Sequence, residues 1–133
     1  MDNADQACLY ETASTNYFDG SGKQMRPILL LIIARLINKT PNENQEKIAA
    51  VAEMIHTASL MHDDVIDEAL LRRGKETINA EVGDRDAVLV GNFVMARSMA
   101  ILASTDNVTV IKTMSTGRLK CLNLSNFVKH VFR

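Results

Sequence analysis

Apolar residues recur along this chain at helical spacing, and nowhere in the strict alternation of a half-buried strand. Residues 28–37 are an almost unbroken apolar run opened by Pro27, whose fixed φ and missing N–H suit the first position of a helix. Over 45–66, Ile48, Val51, Ala52, Ile55, Ser59, Leu60 and Met61 draw the broad stripe of a helix buried in a bundle. A third strong helix is predicted over 84–102, with Asp84 and Asp86 in its first turn and Gly91, Ala96 and Ala100 leaving room for close neighbours. Weaker signals suggest a short amphipathic helix within 2–18 and another over 78–82, ended by Gly83. Residues 19–22, 38–44 and 69–77 read as turns and loops, and beyond Val108 the pattern loosens until Gly117 interrupts it. With neither strand patterns nor Gly-rich hairpins, the fold class is all-α, helix packed on helix.

Length and composition narrow this picture. At 133 residues the chain is at most one small domain, and its 5% aromatic content beside seven Met and many Leu, Ile and Ala favours helices. A net charge of −1 leaves no basic excess for a nucleic acid or an anionic membrane surface. The basic residues gather locally instead: after Asp106 there is no acid, while Lys112, Arg118, Lys120, Lys129 and Arg133 follow, so 117–133 is expected to be a divergent, poorly ordered basic tail. Cys8 and Cys121 stand far apart without metal-type spacing, which argues against a zinc site and for a reducing compartment. The longest apolar run, 28–34, falls well short of the roughly 20 residues that span a bilayer, so a soluble chain without a transmembrane segment is expected.

The chemistry concentrates at one helix end. Asp63, Asp64, Asp67 and Glu68 crowd where the helix dipole is negative and like charges repel, so a cation is expected there. At about 100° per residue, His56, Asp63 and Asp67 share one stripe within roughly 40°, with Asp64 about 80° from His56. Oxygen-only ligands point to a hard cation such as Mg²⁺, completed by water and phosphate oxygens. The spacing is not that of an EF-hand, since Glu68 stands where its Gly belongs and Gly74 where its Glu belongs. Arg72 and Arg73 follow, with forks suited to bidentate phosphate binding, and Lys23 and Arg26 flank the start of the first strong helix, where free N–H groups attract anions. A Walker A loop does not account for Lys23, because Tyr17 and Gln24 occupy its Gly and Ser/Thr positions. The plainer alternatives are a solvated acidic helix end, a charged loop before a buried helix and a satisfied core histidine at His56.

Four motifs in order carry a resemblance: Gly22-Lys23-Gln24-Met25-Arg26-Pro27, the run from Glu53 to Asp67, Arg72-Arg73-Gly74-Lys75, and Gly91-Asn92-Phe93-Val94-Met95-Ala96-Arg97. From about Tyr17 to Ser115 the chain resembles the trans-polyprenyl diphosphate synthases, most closely the long-chain type, whose catalytic subunit makes the decaprenyl or solanesyl side chain of ubiquinone. The resemblance implies a partial isoprenoid-synthase-like helical bundle, with residues 1–116 as the N-terminal portion of that domain. It implies that Asp63 and Asp67, with Asp64, hold the Mg²⁺ ions of the allylic diphosphate and that Arg72 contacts this diphosphate. Lys23, Arg26, His56 and Arg73 match positions that bind isopentenyl diphosphate. Ala58 and Ser59, about one turn before Asp63, match the small residues that let a long product grow, although plain helix packing would also use Ala and Ser. The implied reaction condenses isopentenyl diphosphate with an allylic prenyl diphosphate, in a mitochondrial homodimer or a hetero-oligomer with a second subunit. The chain departs from the family in having Asn92 where Asp is usual, no second Asp-rich motif, and unrelated text after Thr116. It is therefore expected to be truncated and inactive alone, the alternative being a non-catalytic helical partner or regulatory subunit of such a synthase.

Overall fold

A computed structural model describes Tyr17, Phe18 and residues 23–117. The remainder of the expected helix within 2–18, the turn over 19–22, and the tail after residue 117 lie outside these residues, as do Cys8 and Cys121. Among the described residues there are five helices and one small hairpin: α1 (Met25–Ile37), α2 (Glu43–Ile66), β1 (Leu71–Arg72), β2 (Lys75–Glu76), α3 (Ile78–Val82), α4 (Asp84–Ala103) and α5 (Val108–Gly117). The all-α expectation holds, and the three strong periodic segments are the three longest helices.

The boundaries differ where local chemistry outran the periodic signal. α1 begins at Met25, so Pro27 lies within its first turn and not at its first position, still where no intrahelical N–H is needed. α2 begins at Glu43, two residues before the expected start at 45, because Asn42 and Gln45 cap it reciprocally: Gln45 N–H donates to Asn42 Oδ1 at 2.9 Å and Asn42 N–H to Gln45 Oε1 at 3.0 Å. The stretch read as a plain loop contains the hairpin, with Arg72 paired to Lys75 and Leu71 to Glu76. Its two-residue turn, Arg73-Gly74, has φ of 52° and 80°, the mirror-image geometry that matches strand twist. Asn107 accepts from the N–H groups of Thr109 and Val110, which starts α5 where the apolar pattern loosens.

The chain divides into two compact units, residues 1–24 with 53–98 and residues 25–52 with 99–133; α2 and α4 each contribute to both. In the first, Ala58, Met61, Ile78, Ala87, Val90 and Val94 form the core, with Tyr17, Met54, Val65, Val82 and Met95 packed against it. In the second, Leu30, Ala34, Ile48, Ala49, Val51, Leu102, Val110 and Met114 are buried, and Asn44 Nδ2 donates to the Thr105 carbonyl at 3.3 Å. By length and composition α4 could cross a membrane, which the run-length reading did not anticipate. Its Ala87, Val90, Val94, Ser98 and Leu102 are nevertheless buried, as in the core helix of a bundle.

Candidate functional site

The carboxylate cluster sits where α2 ends, and the way it ends sorts the acids. Glu68 N–H donates to the Val65 carbonyl and Ala69 N–H to the Asp64 carbonyl, at 3.2 and 2.9 Å, with Glu68 at φ 51°. This paired closure places Asp67 at the cap and turns the chain sharply away, with Glu68 in the left-handed conformation that usually falls to Gly. Asp63 and Asp67 lie one turn apart, the Asp67 N–H bonded to the Asp63 carbonyl at 2.8 Å, and both are exposed. Asp64, about 100° further round, is 1% exposed.

Asp64 is fully engaged. Arg72 Nη2 donates to its Oδ1 at 2.6 Å, Arg72 Nε lies 2.9 and 2.8 Å from Oδ1 and Oδ2, and the Tyr17 hydroxyl donates to Oδ2 at 2.8 Å. The Asp64 carboxylate holds the Arg72 guanidinium above its already high ordinary value. Burial, reinforced by the hydrogen bond and charge of Asp64, pushes the Tyr17 hydroxyl up to about 12. Sequence reasoning grouped Asp64 with the open acids and gave Tyr17 no role. The helical angle of Asp64 was the one signal for the first, and nothing local announced the second, 47 residues away.

The remaining candidates separate. Arg73 is exposed at the hairpin turn. Lys23 and Arg26 are exposed on either side of the α1 start, Lys23 in the first unit and Arg26 in the second. His56 is half-buried, two turns before Asp63, roughly 10 Å along the helix. Ser59 is half-buried one turn before Asp63, its hydroxyl donating to the His56 carbonyl at 2.7 Å. Ala58 is wholly buried in the core, about 140° round the helix from Asp63. The His62 imidazole lies so close to Gly91 that a Cβ there would overlap it, Nε2 foremost. Gly91 therefore provides the close approach expected of it, to a side chain adjoining Asp63.

Among the described residues no three His, Cys, Asp or Glu side chains form a metal-holding group. The two exposed carboxylates of Asp63 and Asp67 suit a cation whose other ligands are water or phosphate oxygens, as Mg²⁺ prefers, better than a closed protein cage.

The comparisons bear on the family and the fold. Residues 7–122 match the model of the polyprenyl synthetase family. The chain is 43% identical over 112 residues to an all-trans-nonaprenyl-diphosphate synthase (geranyl-diphosphate specific) of Rhodobacter capsulatus, covering 84% of this chain and 34% of that one. It is 46% identical over 108 residues to a human all trans-polyprenyl-diphosphate synthase, covering 77% and 26%. The crystal structure of a decaprenyl diphosphate synthase from Rhodobacter capsulatus superposes with a TM-score of 0.77 at 35% identity, over 82% of this chain and 33% of that chain. The chain thus spans about a third of the length of such relatives or less. Sequence match and backbone agree over most of its residues, and it belongs to the polyprenyl synthetase family.

Proposed function

We propose that this chain carries the allylic-diphosphate part of the site of a Mg²⁺-dependent all-trans-polyprenyl diphosphate synthase, which condenses isopentenyl diphosphate with an allylic diphosphate. The observation that carries this reading is the division among three aspartates at one helix end: Asp63 and Asp67 open on one face, Asp64 buried against Arg72. Asp63 and Asp67 would hold the ion. Bound there, Mg²⁺ supplies charge neutralisation for a departing diphosphate. Arg72, its Nε and Nη2 edge turned to Asp64, presents its Nη1 side to the same diphosphate, and because a guanidinium does not deprotonate, that charge persists throughout the reaction. Arg73, Lys23, Arg26 and His56 are assigned to isopentenyl diphosphate on the strength of the family resemblance. Ser59, on the Asp63 side of α2, would line the path of the growing product, whereas Ala58 would act on its width only through packing.

Calorimetry of the purified chain with geranyl or farnesyl diphosphate tests this reading. Uptake that requires Mg²⁺ and disappears in Asp63→Ala and Asp67→Ala is expected; uptake indifferent to both substitutions refutes it. Elongation by this chain alone is expected to be absent, since the stretch shared with the Rhodobacter relative is 34% of that protein. That same coverage favours a second reading, a non-catalytic partner of a synthase, which predicts association with a synthase subunit and no diphosphate uptake. The family resemblance supports ubiquinone side-chain synthesis in mitochondria by a dimer or hetero-oligomer. A fluorescent fusion outside mitochondria, or a monomer by light scattering in the presence of candidate subunits, would overturn those parts.

A further inference from the structure

We infer that Tyr17 and Asp64 are positioning residues that clamp the Arg72 guanidinium in one orientation; that this orientation serves a diphosphate rests on the function proposed above. Asp64 is the acid that cannot behave as its neighbours do. A carboxylate at 1% exposure is costly unless its lone pairs are met, and here both oxygens are turned inward to fixed donors.

Three separate segments meet at this one carboxylate: Tyr17 from ahead of Lys23, the last turn of α2, and β1 of the hairpin. Arg72 is thereby held at both ends. Its backbone is paired to Lys75 beside a tight two-residue turn, and its head is bonded through Nε and Nη2 to Asp64. Tyr17 secures the other side of the clamp, since its hydroxyl occupies Oδ2 and keeps the carboxylate from rotating off the fork. A long side chain immobilised beforehand loses little freedom when it meets an anion, and its far edge points one way. Arg73, adjacent in sequence but exposed at the turn tip, has no such partner holding its head among the described residues and marks the contrast.

The test reads the Arg72 Nε–H directly. In ¹⁵N-labelled protein its resonance, assigned by its loss in Arg72→Lys, should exchange slowly with water. Tyr17→Phe, which removes one hydroxyl and keeps the ring in the core, should speed that exchange and weaken binding of Mg²⁺-pyrophosphate roughly tenfold, the effect of one lost hydrogen bond to a charged group. Unchanged exchange in Tyr17→Phe overturns the clamp whatever happens to pyrophosphate. Released exchange in a chain that takes up no pyrophosphate upholds the clamp and removes its proposed purpose. A lowered melting temperature with unaltered exchange and affinity identifies a purely structural bond and also overturns the inference. Should Tyr17→Phe fail to fold, Asp64→Asn, which keeps the shape and one acceptor oxygen, is read in the same way.

Discussion

A buried carboxylate that serves a phenol and a guanidinium at once makes the α2 end sensitive to alkali and to truncation. Tyr17 has its hydroxyl pushed up to about 12, first by burial and then by Asp64, against an ordinary value of 10. A folded value above the unfolded one means that this stabilisation is complete below about pH 10 and is lost as pH rises through 12. Absorbance at 295 nm should therefore show one of the two tyrosines ionising late, and the late step should vanish in Tyr17→Phe; a single step near 10 would contradict the hydrogen bond. The aspartates divide just as sharply. Asp64→Ala strands Arg72 and Tyr17 and is expected to cost about 3 kcal/mol in urea unfolding, the bottom of the range for a broken buried pair because the Arg72 side chain is 31% exposed. Asp63→Ala removes one of several like charges near a helix C-terminus, and stability should change by less than about 0.5 kcal/mol or rise. Equal losses for the two variants would refute the assignment of separate roles.

Among the elements, α2 and α4 depend on one close approach and the Arg72 hairpin on one turn. Gly91 stands against the His62 imidazole, whose Nε2 is buried without a hydrogen-bond partner, so even a methyl group at 91 must displace the ring beside Asp63. Gly91→Ala is expected to cost about 1–3 kcal/mol, the usual price of overpacking, and thermal unfolding would measure it. A neutral result would mean the ring moves aside freely. The hairpin turn accepts Arg at its first position, φ 52°, because Gly74 at φ 80° takes the more demanding second one. Thr77 then closes the element: its hydroxyl and the Asn79 amide both donate to the Ala69 carbonyl, at 2.6 and 2.9 Å, tying the start of α3 to the end of the α2 turn. Arg72 thus emerges from backbone fixed on both sides.

For the whole molecule, α1 presents an unusual surface. Leu30 and Ala34 are buried, while Met25, Ile28, Leu29, Ile32 and Leu36, within about 60° of a common direction on the other side, are exposed, Leu36 to 81%. An uncovered apolar stripe of this kind binds environment-sensitive dyes and lowers solubility. The chain should enhance the fluorescence of anilinonaphthalene sulfonate while folded, and Ile32→Gln with Leu36→Gln should abolish most of that signal without lowering the melting temperature. Dye binding unaffected by the pair would place the apolar surface elsewhere.

Periodicity alone determined that this chain is helical, where its three long helices run and that two carboxylates share a face, because helical spacing is a property of neighbouring residues. The same angles set Asp64 apart, although the sequence reading still grouped it with the open acids, and charge crowding gave only the expectation of a cation at that helix end. Helix starts such as Asn42 with Gln45, and the Arg73-Gly74 turn, were also written locally, in side chains that cap and in a glycine that permits positive φ, although the apolar pattern does not register them. Only tertiary structure decided that Asp64 is occupied by Arg72 and Tyr17, that His62 leans on Gly91 and that Ala58 faces the core. Those facts join residues up to 47 positions apart, and which side of a helix becomes interior depends on what the rest of the chain brings against it.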